Sequence, residues 1–361
     1  MPKIKIGDRF VGDGYPCYII AEAGVNHNRS VELAKKLVKA AKDAGADAVK
    51  FQTWITEEVM VKNLGKPGYQ EEITGNKETQ FDMVKRLELT FDETKKVAAY
   101  AKKIGIVFLS TPEGKQCTDL LEEIGVPAYK IGSSDMNNYP HLKYVAKKGK
   151  PIILSTGMAT MEEVKNSVDF IKECGNDQII LLHCTTSYPA KLSEVNLNVM
   201  ITMKELGLPV GYSDHTEGIM VPVIVASLGA CAIEKHFTMN KKLPGPDHKT
   251  SLESHELKEM VNKISNLKRI NFKADDKILE EIMGSEEKRP TKSEREIERF
   301  VRKYIVANVD IKENNIITEE MLAVKRTGGR GIRPSHFYEI IGRKAKQNIK
   351  RDEAVEWKMI E

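Results

Sequence analysis

The 361-residue sequence predicts an α/β protein, a TIM (β/α)8 barrel followed by a small β-rich C-terminal module, on three observations. First, one unit recurs: an amphipathic helix ends at glycine and a short apolar strand follows, as in AAKDAGADAVKFQ, YAKKIGIVFLST and FIKECGNDQIILLHC. Glycine just past a helix end takes the left-handed cap at little steric cost. Second, the strands are continuous apolar runs rather than strict alternations, which suits a parallel sheet covered on both faces. Third, eight such strands precede residue 240, within the roughly 250 residues that such a barrel needs.

In chain order the strands begin near Tyr18, Asp47, Ile106, Ala128, Pro151, Ile179, Pro209 and Cys231. A doubly wound open sheet is the rival, but it would carry G-x-G-x-x-G after its first strand. This chain reads Glu22-Ala-Gly-Val-Asn-His there. The loop from Thr53 to about Gln80 is long and polar, and reads equally as a lid or as a plain surface insertion. Leu257, Met260, Val261, Ile264 and Leu267 share one face of a later helix, as an outer barrel helix requires. Residues 1–272 are therefore read as the barrel domain. Residues 273–302 are dominated by charge and read as a linker with a solvated helix. Residues 303–361, with short β-type runs and the loop KRTGGRG, form a module with a thin core.

Composition narrows the function. Hydrophobic residues at 41% and charged residues at 30% exclude general disorder. Lys and Arg total 56 against 52 acids, and the two signs are interspersed, so nucleic acid is not an expected partner. The cysteines (17, 117, 174, 184 and 231) are odd in number and form no C-x-x-C pair, so neither a disulfide framework nor a structural zinc site is expected. The N-terminus lacks the apolar region of a signal peptide, and no run of about 18 apolar residues occurs. A cytoplasmic protein without a membrane partner is expected.

In a barrel of this type the chemistry sits at the C-terminal strand ends. Here all eight ends carry polar groups: Glu22; Lys50 and Gln52; Thr111; Lys130, Ser133 and Asp135; Ser155; His183 with Thr186 and Tyr188; Ser213, Asp214 and His215; and Glu234 with His236. One such end would be an ordinary loop start, whereas eight make a functional rim. Lys50 and Lys130 would be buried cations, which need partners. With Thr111, Ser133 and Ser155 around them they suit an anion such as a phosphate plus a carboxylate. A Schiff base on either lysine is the competing chemistry. His215 and His236 end neighbouring strands, which lie about 4.8 Å apart, so both can reach one divalent ion. Glu22, Asp214 or a substrate would complete its shell. Mixed nitrogen and oxygen ligation suits Mn²⁺ or Mg²⁺ as well as zinc.

The motifs IIAEAGVNHNRS, AVKFQT, FLSTPE, YKIGSSDMNNYP, ILSTGM, LLHCTTSYP, GYSDHTEG, EKHFT and PGPDH with SLE after it resemble, in order, those of the sialic acid synthases. The last stretch resembles that family's antifreeze-like module. The resemblance implies an enzyme that joins phosphoenolpyruvate to an N-acylated hexosamine with C–O cleavage and release of phosphate. It assigns Glu22 as the catalytic carboxylate. Lys50, Thr111, Lys130, Ser133, Ser155 and Ser213 are implied to hold phosphoenolpyruvate. Gln52, Asp135, Thr186, Tyr188, Asp247 and Arg326 are implied on the sugar side. His215 and His236 are implied to hold a metal, commonly Mn²⁺, with Mg²⁺ or Co²⁺ as alternatives. A domain-swapped homodimer would bring Arg326 to the partner's sugar. N-acetylmannosamine is the expected acceptor, with a 2,4-diacetamido-trideoxyhexose leading to legionaminate as the alternative. Of four departures from the family pattern (Ser134-Asp135, Glu113, Thr327 and Thr186), Ser134-Asp135 and Thr186 touch the sugar side.

Overall fold

A computed structural model describes residues 3–62, 64–66, 78–267 and 275–361. Strands β1 (Ile4–Ile6) and β2 (Arg9–Val11) form an antiparallel hairpin that the sequence reading had not marked. The barrel strands follow: β3 (Tyr18–Gly24), β4 (Ala48–Trp54), β5 (Val107–Glu113), β6 (Tyr129–Ile131), β7 (Ile152–Ser155), β8 (Ile179–Cys184), β9 (Val210–Asp214) and β10 (Ala232–Thr238). All are parallel, in the order β5-β4-β3-β10-β9-β8-β7-β6. Among the described residues, β5 and β6 meet at a seam without a paired ladder, so the barrel is nearly closed. A two-residue strand, β11 (Leu252–Glu253), extends beside β10.

The helix between β3 and β4, Val31–Ala44, shows why these units form. Ser30 caps its first turn, Gly45 ends it with φ of 85°, and Leu37, Val38 and Ala41 face the sheet. Alternation along each strand then divides the core. Ile19, Val49, Tyr129, Leu181 and Ile233 point outward under the helices. Ile20, Ala48, Leu109, Ile153, Ile180 and Ala232 fill the interior, and the hairpin's Ile4, Ile6 and Val11 plug its lower end. Two residues further up β3, β4, β5, β7 and β10, the polar Glu22, Lys50, Thr111, Ser155 and Glu234 take the same inner face, while β8 continues it with Leu182.

The C-terminal module pairs β12 (Lys303–Ala307) antiparallel with β13 (Leu322–Arg326). Its core is built from Ile305, Ile311, Ile317, Phe337, Ile349 and Val355. Residues 275–302 are not a solvated spacer. Helices span Asp276–Met283 and Lys292–Val301, and Lys288, Glu294 and Arg302 are buried. No helix among the described residues is long and apolar enough to cross a membrane, and the five cysteines are free.

Candidate active site

Strand register assembles the mouth. Glu22 on β3 lies beside Lys50 on β4 and beside His236 on β10. Ser213 on β9 lies beside Glu234 on β10, and Gln52 beside Thr111. Gly24, at a bulge with φ of 49°, leaves room for this packing, because a Cβ there would sit 3.3 Å from Glu22 Oε1 and 3.5 Å from the His236 ring.

Two lysines and two carboxylates form the centre. Lys50 Nζ lies 2.9 Å from Glu22 Oε2 and 3.8 Å from Glu234 Oε1, while Lys130 Nζ lies 3.7 Å from Glu234 Oε1. Lys50 donates to Thr111 Oγ1 at 3.2 Å, Lys130 to Ser155 Oγ at 2.7 Å, and Ser213 to Glu234 Oε1 at 3.3 Å. Gln52 donates to Glu22 Oε1 at 3.1 Å. Burial lifts the Glu22 carboxyl to about 7, against the opposing pull of Lys50. Burial lowers Lys130 below the ordinary ammonium range. Burial opposes the charge on Lys50 too, but Glu22 and Glu234 outweigh it and hold Lys50 above its ordinary value. Burial lifts the nearby Asp247 carboxyl to about 6.

The histidine pair borders this centre, with ring centroids 5.5 Å apart and Tyr188 packed on His215 at 4.2 Å. His215 Nδ1 meets the Thr185 carbonyl at 2.8 Å, which fixes the proton there and leaves the Nε2 lone pair for a ligand. His236 Nδ1 is buried without a hydrogen-bond partner among the described residues. Burial first, then the charges of His215 and Lys50, keeps the His236 imidazole neutral. Burial opposes charge on His215, but Cys184 and the Thr185 carbonyl outweigh it and hold that imidazole above its ordinary value, so His215 would give up its Nε2 proton on binding a divalent ion that both rings can reach. Among the described residues no group of three or more His, Cys, Asp or Glu could hold one, so water or substrate would supply the remaining ligands.

The sequence-derived residues Glu22, Lys50, Gln52, Thr111, Lys130, Ser133, Ser155, Thr186, Tyr188, Ser213, His215, His236, Asp247 and Arg326 all border one pocket. Asp135 does not border it. Its carboxylate is taken by Lys303 Nζ and Asn138 Nδ2, each at 2.6 Å, and Ser134 and Glu113 form the wall instead. Asp214, offered above as a possible metal ligand, faces outward to Lys235 Nζ at 2.6 Å and to Thr216. Three residues escaped a role in the sequence reading. Glu234 is the acid that both lysines share. Glu113 and Lys303 join barrel to module, 3.0 Å apart. The first could have been found from its place between two strand-end positions, while the others depend on a tertiary contact.

The described parts of the 53–80 loop also reach the pocket. Trp54, Val59 and Gln80 line it, joined by Met83, Val84 and Leu87 of the helix that follows. Met60 bridges to Arg326 of β13, and Val61 N–H donates to the Arg326 carbonyl at 3.1 Å. Arg326 lies 3.6 Å from Glu113 and enters the mouth of its own chain's barrel. The polar stretch within residues 67–77 lies outside the described residues.

The mouth of this parallel barrel thus carries two buried lysines and a histidine pair, and a β-rich module follows the barrel. The chain belongs to the NeuB family, whose model matches residues 37–275, and a SAF domain model matches residues 302–361. It is 42% identical to N,N'-diacetyllegionaminic acid synthase of Legionella pneumophila, over 97% of this chain and 96% of that one. It is 33% identical to human N-acetylneuraminate-9-phosphate synthase, over 96% of this chain and 93% of that one. The crystal structure of spore coat polysaccharide biosynthesis protein SpsE from Bacillus subtilis superposes with a TM-score of 0.85 at 33% identity, covering 100% of this chain and 99% of that one.

Proposed function

We propose that this chain is a phosphoenolpyruvate-dependent nonulosonate synthase whose acceptor is a 2,4-diacetamido-trideoxyhexose. One observation carries the reading: two buried lysines converge on Glu234 among the hydroxyls of Thr111, Ser155 and Ser213, directly beside the histidine pair. Two ammonium groups so placed suit the phosphate and the carboxylate of one small substrate. Holding that substrate fixes its C3 against the sugar aldehyde, so the two reactants meet in one geometry. C3 forms the new carbon–carbon bond, water adds at C2, and the C2–O bond to phosphate breaks. Glu22 takes the proton of that water, and a carboxyl near 7 is matched to proton transfer at neutral pH. A divalent ion such as Mn²⁺ held by His215 and His236 would supply Lewis acidity at the aldehyde oxygen.

Two observations support the diacetamido sugar over N-acetylmannosamine, the acceptor expected from sequence. Val59, Met83, Val84 and Leu87 give the outer pocket an apolar wall, which suits a deoxy methyl and a second acetyl methyl better than free hydroxyls. The legionaminate relative is also more similar, at 42% against 33% for the neuraminate-9-phosphate relative. The proposal includes a homodimer; in the single chain Arg326 borders the pocket of its own barrel, and an exchange of C-terminal modules between subunits would carry the same side chain to the partner's pocket.

A substrate panel tests the reading. Purified protein with phosphoenolpyruvate and Mn²⁺ is offered 2,4-diacetamido-2,4,6-trideoxymannose, N-acetylmannosamine and its 6-phosphate, following phosphate release and product mass. The expected result is the highest kcat/KM with the diacetamido sugar. Preference for N-acetylmannosamine overturns the acceptor assignment, and phosphate release with none of the three overturns the reaction.

A further inference from the structure

We propose that Glu294 is a positioning residue for the active site, holding the loops after β7 and β8 in the geometry that the pocket requires. It lies between the stretches matched by the two family models, 37–275 and 302–361, in the segment that charge alone marks as a spacer. Its carboxylate is 1% exposed. Glu294 Oε1 accepts from Met158 N–H at 2.7 Å and from Thr186 N–H at 2.8 Å, so one oxygen ties the two loop starts together. Glu294 Oε2 accepts from Thr291 N–H at 2.9 Å and closes the capping box of the helix Lys292–Val301.

Both tied residues matter to the pocket. Met158 is fully buried in left-handed backbone, φ 59°, which is unfavourable for a residue with a side chain and persists only where the surroundings enforce it. Glu294 takes its N–H, and Arg302, at the far end of the same helix, takes its carbonyl. Arg302 is itself held by Glu163 at 2.9 Å and by Glu298 at 3.0 Å. The preceding residue, Gly157, donates its N–H to Ser133 Oγ at 2.9 Å, and a Cβ on Gly157 would overlap Thr186 Oγ1. The helix therefore grips the β7 turn from both sides and sets where Ser133 and Thr186 stand. Thr186 is pinned directly, through its own amide. Ser133 is reached through Gly157 only, so the sugar side depends more on Glu294 than the phosphoenolpyruvate side does.

Three variants separate acceptor geometry from charge and from helix capping. Glu294→Gln keeps an oxygen for both N–H groups without the charge. Glu294→Asp keeps the charge on a side chain one methylene too short to reach both. Thr291→Ala weakens the cap and leaves both loop bonds in place. Steady-state kinetics with phosphoenolpyruvate and the amino sugar should show KM for the sugar raised about tenfold or more in Glu294→Asp, since two buried donors lose their acceptor. KM for phosphoenolpyruvate should move less. Glu294→Gln should stay within about threefold of the wild type, and Thr291→Ala should lower Tm with both KM values unchanged. Amide hydrogen exchange at Met158 and Thr186 should accelerate in Glu294→Asp but not in Glu294→Gln, a readout that does not depend on the substrate assignment. Unchanged exchange and unchanged KM in Glu294→Asp, with or without a fall in Tm, overturns the positioning role. The same holds if Glu294→Gln is impaired while Glu294→Asp is not, because charge and not geometry would then be the cause.

Discussion

Strand β10 carries two buried acid–lysine clusters on its two faces, and they are built differently. Outward, Lys235 meets Asp214 at 2.6 Å, and Asp214 also accepts from the amide and hydroxyl of Thr216, whose carbonyl takes a further bond from Lys235. Every polar atom of that pair has a local partner. Inward, one residue away, Glu234 stands 3.7–3.8 Å from two lysines, and its Oε2 accepts no hydrogen bond among the described residues. Its neighbour His236 likewise has a buried Nδ1 without a partner. A buried charge is costly unless it is paired and bonded. The outer cluster meets that requirement within the protein and so serves the fold. The inner cluster leaves polar atoms short of partners, which is the opening that the proposed phosphoenolpyruvate clamp would use.

The largest effect should come from the inner face. Chelation with EDTA should abolish phosphate release and Mn²⁺ should restore it, and His236→Ala should bind no Mn²⁺ by elemental analysis. Full turnover in chelator breaks the metal assignment. Next, Glu22→Gln keeps the shape of the side chain and removes its proton acceptor. Turnover should fall by about 10²–10⁴-fold while phosphoenolpyruvate still binds, and near wild-type turnover would sink Glu22 as the base. The outer face should respond in the opposite currency. Asp214→Ala strands a buried ammonium and should destabilise by about 3–5 kcal/mol in urea unfolding, with kcat per folded molecule intact. A fall in kcat without loss of stability would erase the distinction between the faces. The smallest effect concerns Arg326. Arg326→Ala should raise KM for the amino sugar about tenfold or more, as loss of one charge-assisted bond predicts, with little change for phosphoenolpyruvate. Mixed dimers of Arg326→Ala and Glu22→Gln subunits should show the wild-type KM for the sugar at the one barrel that retains Glu22. If that KM stays raised while the subunits still pair, each arginine serves its own barrel and the exchange of modules is wrong.

The fold was legible because its signals are local. A glycine-ended helix followed by an apolar run identified seven of the barrel strands, and an apolar run alone the first, each to within about a residue of its observed start, as at Ala48, Tyr129 and Ala232. The rim was legible for the same reason, since polar residues closing apolar strands stand out. The side of the strand was harder to read. Asp214 and Glu234 both sit at strand ends, but only the closed barrel shows that one faces out and the other in. Asp135 was misplaced because its partner, Lys303, lies 168 residues away in the C-terminal module. Glu294 was hidden by composition, because a charge-rich stretch reads as solvated until its N–H partners, 108 and 136 residues distant, are brought to it. The N-terminal hairpin has strands of only three residues, too short for a period to register.

The central claim, that the inner cluster is built to clamp a doubly anionic substrate, is tested most directly by equilibrium binding of phosphoenolpyruvate to Lys130→Met, without sugar. Methionine fills the space of the lysine stem, and Glu234 retains Lys50, so the barrel should stay folded. Calorimetry should show affinity reduced about 10- to 100-fold relative to the wild type, the loss expected for a buried bond to a charged group, with Tm little changed. Unaltered affinity in a folded Lys130→Met protein would contradict the account and return the inner lysine to the same structural role as Lys235.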